Sequence, residues 1–153
     1  MGEIIMADST QYAKTVAASP SKISTTELAG RVRIAYADFT AAGAQETINM
    51  FKLPNGARII GGRVNHVALG GSTTLSIGHA AYVKADETAV AADVDEYKAA
   101  ASSNSVTSFN IANTTVLGEN SVVDSPDGLI VTATTAGGNA TGKLEVQMTY
   151  VLD

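Results

Sequence analysis

The chain of 153 residues is long enough for one domain with a sizeable hydrophobic core. Its 15 Asp and Glu against 10 Lys and Arg give a formal charge of −5, and no basic run concentrates positive potential, so we expect no nucleic-acid partner. The absence of cysteine excludes disulfides and thiolate chemistry. No stretch approaches the roughly 20 apolar residues that span a bilayer, and the first residues lack the pattern of a signal peptide, so we expect neither membrane insertion nor secretion.

Residues 1–28 form a polar stretch without a sustained period, which predicts an extended N-terminal arm ahead of a domain at 29–153. Two interpretations fit this stretch: a disordered terminus and a strap that orders against a neighbouring subunit. In the second interpretation Tyr12, Val16 and Ile23 are the partner-binding anchors, because isolated apolar residues gain most when a partner supplies the missing surface.

The first half of the domain follows the two-residue period of β-strands. Val32, Ile34 and Tyr36 alternate with Arg31, Arg33 and Ala35, which predicts a strand with one apolar and one charged face. A Pro-Asn-Gly turn at 54–56 leads into a strand that we expect to carry a β-bulge at Gly61-Gly62.

Two hairpins and one irregular segment are predicted further along. The Gly70-Gly71 turn leads into 72–78, which we expect to form a hairpin with the preceding strand and to have one wet face. The Ala-rich stretch 86–101, with Asp86 as a possible N-cap, predicts one short helix or a looped insertion. Strict alternation over 129–134 and 144–152, around a Gly-rich turn, predicts a C-terminal hairpin.

These elements together predict an all-β fold. About eight short strands, separated by turn signals roughly every ten residues, are typical of an antiparallel β-sandwich or jelly roll. Helix-strand alternation is missing, and no repeat of fixed period is present.

The residues that could carry chemistry are few. His66 and His79 would be neighbours in the predicted hairpin and could share a metal ion or move a proton, but a third ligand is not evident, and histidines satisfied within a sheet explain them more simply. The carboxylates between 86 and 96 could bind calcium, but the ligand spacing of an EF-hand is absent and a solvated helix face explains them more simply. We therefore expect no enzyme, no catalytic residue, no cofactor and no metal.

Three segments of this chain, as well as its Gly-rich turn and its closing strand, resemble the small virion proteins encoded among tailed-phage head genes. The segments are 53–64 (LPNGARIIGGRV), 70–78 (GGSTTLSIG) and 127–131 (DGLIV). The resemblance implies a capsid decoration, or cement, protein: a β-sandwich or jelly-roll subunit, commonly trimeric, that binds the outer head shell at junctions between major capsid proteins.

The sequence thus favours a homotrimeric cement protein, assembled in the host bacterial cytoplasm and located on the capsid surface, with the major capsid protein as its partner. An alternative from another class is a receptor- or glycan-binding module of a phage fibre or tail, with contact loops around Asn104, Asn113 and Asn139. A hydrolase that uses His66 or His79 is a third possibility, far below both.

Overall fold

The structure is a computed structural model that describes residues 31–152. The regular secondary structure of this part is β-strand throughout, apart from one 3-10 turn at Thr115–Leu117. The strands are β1 Arg31–Ala44, β2 Thr47–Leu53, β3 Arg58–His66, β4 Thr74–His79, β5 Tyr82–Val83, β6 Ala89–Val90, β7 Asp93–Ser102, β8 Thr107–Ile111, β9 Leu129–Ala136 and β10 Ala140–Leu152. Residues 31–152 contain no helix that is long and apolar enough to cross a membrane.

Eight of the strands form two antiparallel sheets of four. The first sheet has the order β1-β10-β3-β8 and the second has the order β2-β9-β4-β7, while β5 and β6 make a separate small ribbon. Along the chain, the eight strands alternate between the two sheets, except that β4 and the next of them, β7, lie in the same sheet. This is the connectivity of a jelly roll, so the predicted fold class is confirmed.

The hydrophobic core lies between the two sheets. Alternate side chains of each strand point into it, and burial of each is worth roughly 1.5–3 kcal/mol relative to exposure. Its largest wholly buried apolar side chains are Leu53, Ile59, Val64, Leu69, Leu75, Ile77, Ile111, Val131, Leu144, Val146 and Met148.

The helix predicted for 86–101 is wrong. The segment forms β6 and the first nine residues of β7, which pairs with β4. The helical spacing of Val90, Val94 and Tyr97 is accidental, because the three side chains do not share one buried face. Tyr97 is buried in the core, whereas Val94 is exposed. Asp86 caps a turn instead of a helix, since its Oδ1 accepts a hydrogen bond of 3.0 Å from the Thr88 amide.

Both predicted hairpins are also wrong in their pairing, although their strands are present. β4 pairs with β7 and β9 rather than with β3, and it is buried along nearly its whole length, so it has no wet face. β9 pairs with β2 and β4, whereas β10 pairs with β1 and β3. In each case the glycine turn carries the chain across to the opposite sheet.

The predicted bulge is present in β3, one residue earlier than expected. Gly61 is opposite Thr149 and Ile59 is opposite Tyr150, which leaves Ile60 as the extra residue. Gly61 has a φ of +139°, a conformation that other residues rarely adopt.

The loops gather at the two ends of the sandwich. At one end, which we call the tight end, the Leu69 amide donates to the Ser103 carbonyl and the Thr141 amide donates to the Leu69 carbonyl. At the other, the terminal end, β1 begins and β10 ends, and the Gly56 amide donates to the Val123 carbonyl. The β5–β6 ribbon belongs to the terminal end, where the Ala85 amide donates to Asp124 Oδ1.

Candidate protein interface on the first sheet

The first half of β1 exposes three large apolar side chains in a line. Val32 and Ile34 are each 64% exposed and Tyr36 is 55% exposed, and we call these three residues the β1 strip. The alternate residues Ala35 and Phe39 face inward and pack against the core. The apolar face that the sequence shows at 32–36 is therefore turned toward solvent.

The sequence contains a signal for this orientation that a short window misses. The set that includes Ala35 continues with Ala37, Phe39 and Ala41, and so remains apolar along the strand. The set that includes Tyr36 continues with Asp38 and Thr40. The set that remains apolar is the one that faces the core.

The β1 strip is the edge of a broader outward surface. Residues that pair across neighbouring strands share a face, and one such row runs from Val32 to Val122, which is 47% exposed. Between them lie Val151, which is only 7% exposed, and the half-buried Arg58. Beside this row, Gly61 has open space where a side chain would stand, within a shallow depression of about 400 Å³. A partner could place side chains there.

β1 also lies at the edge of the first sheet. Among the described residues it pairs only with β10, so its other side presents backbone N–H and C=O groups. It has 14 residues, whereas a typical strand has about 5–6. A long edge strand with exposed apolar side chains is a template for contact with another chain.

Charged groups border the strip on both sides. Arg31 and Arg33 alternate with the first residues of the strip, so they are exposed on the opposite face of β1. Beyond Tyr36, Lys143 Nζ lies 3.2 Å from Asp38 Oδ2 and 3.0 Å from Glu145 Oε1. Hydrogen bonding to Lys143 holds the pKa of Glu145 below its usual range, while desolvation and the nearby Glu145 carboxylate raise the pKa of Tyr36.

The two histidines do not meet, contrary to the prediction that a hairpin would make them neighbours. His66 ends β3 in the first sheet and His79 ends β4 in the second. Each is buried, has its Nδ1 2.7–2.9 Å from the carbonyl oxygen of the following residue, and contacts an aromatic ring edge-on: Phe109 for His66 and Tyr82 for His79. Both histidines therefore have structural roles in their strands.

The acidic residues after β5 lie along the opposite side of the sandwich from β1. Asp93 Oδ1 accepts a hydrogen bond of 3.1 Å from the Asp95 amide, which lowers the pKa of Asp93, and a side-chain hydrogen bond to Asp93 raises the pKa of Asp95. Nowhere in residues 31–152 do three His, Cys, Asp or Glu side chains form a group that could hold a metal ion.

The other predicted contact residues do not form one surface in the part of the chain that the structure describes. Tyr12, Val16 and Ile23, with the predicted arm of residues 1–28, lie outside the described residues. Asn104 and Asn139 are in loops at the tight end, whereas Asn113 follows β8 at the terminal end. The structure therefore does not gather the three asparagines into one glycan-binding surface.

Comparison with known proteins relates the chain to capsid structures by fold. No family model and no curated protein matches the sequence. A chain in the cyanophage Pam1 capsid asymmetric unit superposes with a TM-score of 0.62 at 20% identity, over 98% of this chain and 100% of that one. A chain in the capsid of Ralstonia phage GP4 gives 0.62 at 19% identity, over 92% and 94%.

A third likeness is to a chain in the acid-stable capsid structure of Helicobacter pylori bacteriophage KHP30. Its TM-score is 0.50 at 17% identity, over 79% of this chain and 87% of that chain. At such identities these likenesses show a shared fold.

Proposed function

We propose that this chain is a non-enzymatic structural virion protein: a homotrimeric decoration, or cement, protein that binds the outside of a phage head and stabilises contacts between major capsid proteins. The observation that carries the proposal is the β1 strip on the edge strand of a jelly roll. The fold it shares with chains of three phage capsid structures supports the same conclusion.

The strip has a clear energetic meaning. Full burial of a large apolar side chain is worth roughly 1.5–3 kcal/mol relative to full exposure. The three strip residues are 55–64% exposed, so a contact that covers all of them supplies a few kcal/mol of association free energy. The fold of the isolated domain does not use that free energy, because the core is filled by the opposite face of the strand. Such a surface is typical of a chain that functions inside an assembly.

The arm gives the proposed protein a second means of attachment. Residues 1–28 join the domain close to Arg31, where the β1 strip begins. Anchoring of Tyr12, Val16 and Ile23 on a neighbouring subunit would make the arm and the domain two linked attachments, and linked attachments bind far more tightly than either one alone. The arm would thus bridge subunits without a further domain.

The experiment is a binding assay on empty expanded heads of the phage that encodes the chain. The wild-type protein should run as a trimer and saturate the heads, and V32S/I34S/Y36S should lose assembly while keeping the β-sheet signal in circular dichroism. The control V67S/V106S removes two exposed valines at the tight end and should behave as the wild type. Deletion of residues 1–28 should abolish head binding and leave the fold intact.

A strict monomer that has no affinity for the heads would contradict the proposal. Binding to a glycan array without binding to heads would also contradict it, and would favour a receptor-binding role.

A further inference from the structure

We infer that a short N-terminal run of one copy, residues 3–6 (EIIM), adds as a strand along the free edge of β1 in a neighbouring copy. This inference rests on the proposed function, in which the arm orders on a neighbouring subunit, and it names the segment and the surface that meet. The surface is the start of β1, residues 31–34, which we call the β1 overhang.

The β1 overhang is open on three sides. Further along β1 the inward residues Ala35 and Phe39 pack against the core, but all four residues of the overhang are exposed, so both of its faces meet solvent. Among the described residues β1 pairs only with β10, which leaves one edge of its backbone free as well. A strand paired on one side only has backbone donors and acceptors that a second strand can bind.

The two faces of the overhang differ in chemistry. Val32 and Ile34, the first residues of the β1 strip, lie on the outward face, whereas Arg31 and Arg33 lie on the opposite face, because successive side chains of a strand alternate. A strand that adds along this edge extends both faces at once. A matching segment therefore needs apolar residues on one face and a carboxylate on the other.

The N-terminal run meets this requirement. It holds the only three large apolar residues in succession within residues 1–30, Ile4, Ile5 and Met6, and the two isoleucines are β-branched residues that favour strands. In an extended segment Ile4 and Met6 share one face, and Glu3 lies on the other. Whenever Ile4 and Met6 extend the β1 strip, Glu3 therefore lies beside the arginines, in parallel and antiparallel pairing alike.

The chain between the run and the overhang is long enough to join neighbouring copies. Residues 7–30 lie between them, and an extended chain spans about 3.3 Å per residue, which gives a reach of roughly 80 Å. β1, with its 14 residues, is only about 46 Å long at the same rise. The run can thus leave its own domain and reach the next one, and a strand passed from copy to copy closes a ring such as the proposed trimer.

Cysteine cross-linking tests the pairing in the full-length protein, whose natural sequence has no cysteine. Met6→Cys in one chain is co-expressed with Val32→Cys, Ile34→Cys or Arg33→Cys in another, so that any disulfide between the two positions joins two copies. Under mild oxidation, the position 6 cysteine should react at least about fivefold more with position 32 or 34, which share its face, than with position 33, the matched control on the opposite face. Peptide mass spectrometry identifies the joined residues.

Charge reversal gives an independent readout. Glu3→Lys and R31E/R33E should each weaken association of the full-length chains by about three- to tenfold in sedimentation velocity, because like charges then meet on that face. The triple variant E3K/R31E/R33E should recover most of the loss, since the charges are again opposite. The control K52E/D127K reverses one charge of each sign on exposed residues elsewhere and should change nothing.

The outcomes separate this inference from the proposed function. Equal cross-linking to positions 32, 33 and 34 would overturn the pairing, as would a cross-link that forms only within a single chain that carries both cysteines. A trimer that binds heads but shows neither cross-link nor charge effect would overturn the pairing and leave cementing intact. A monomeric wild-type protein without affinity for heads would overturn both.

Discussion

Gly78 lies where the start of β7 passes directly beside β4. A methyl group at this position would overlap the Asp93 carbonyl oxygen and the backbone of Val94, and backbone atoms of a paired strand cannot move aside cheaply. We predict that Gly78→Ala lowers the free energy of unfolding by about 1–3 kcal/mol or more. Denaturant unfolding measures this loss.

Gly71 supplies the matched control, because a methyl group there meets no atom within 4 Å. Gly71→Ala should leave stability within about 0.5 kcal/mol of the wild type. Equal stability of the two alanine variants would mean that β4 and β7 are not as close as described.

The Lys143–Glu145 ion pair gives a prediction about pH. The pKa of Glu145 is lowered in the folded protein, chiefly by its hydrogen bond to Lys143, so the unfolded chain binds more protons at acidic pH. The stabilisation is present above the ordinary Glu pKa of about 4.3 and is lost as the pH falls through the lowered value. Lys143→Gln should therefore move the Glu145 titration, followed by carboxyl NMR, toward higher pH.

Lys52→Gln is the control for that titration, since Lys52 is exposed on β2 in the other sheet and should leave Glu145 unaffected. An unchanged Glu145 titration in Lys143→Gln would show that the ion pair does not form in solution.

At the scale of elements, the tight end depends on one buried pair of hydroxyl groups. Ser103 Oγ donates to Thr73 Oγ1 at 2.8 Å, and Thr73 Oγ1 donates to the Gly70 carbonyl at 2.9 Å. We predict that Ser103→Ala costs about 1 kcal/mol of stability, the usual worth of one buried hydrogen bond. Thermal unfolding against Ser105→Ala, an exposed serine of the same loop that should be neutral, checks this.

The strands of this fold could be predicted from the sequence, but their partners could not. Alternation marks the two faces of a strand, and it placed β3, β9 and β10 correctly. It contains no information about which strand pairs with which, and here nearly every turn carries the chain to the other sheet. The predicted hairpins failed for that reason, and β7 was taken for a helix because its few apolar residues have a spacing that both structures allow.

The candidate interface could be predicted in part. The residues of the β1 strip stood out in the sequence as an apolar face, but the direction of that face is visible only when the alternate set is followed as far as Ala41. The acidic cluster of residues 86–96 was visible in the sequence as a run of carboxylates. Its position opposite β1 depends on the order of strands in two sheets, which no local pattern records.

At the scale of the whole molecule, association and stability should be linked. If the trimer unfolds to separate chains, raising the protein concentration about a hundredfold adds about 1–2 kcal/mol per protomer, which corresponds to several degrees in Tm. V32S/I34S/Y36S, which should lose assembly, should melt at a temperature independent of concentration. Calorimetry over that range measures both, and a wild-type Tm that does not change with concentration would contradict the link.

The outward apolar residues of β1 also affect the chain before it reaches its assembly. An unpaired edge rich in β-branched and aromatic residues invites unspecific strand-to-strand aggregation. Arg31 and Arg33 flank Val32 at that edge, where their charges act as gatekeepers against stacking of like strands. The two arginines would thus keep newly made subunits apart until an assembly partner covers the edge.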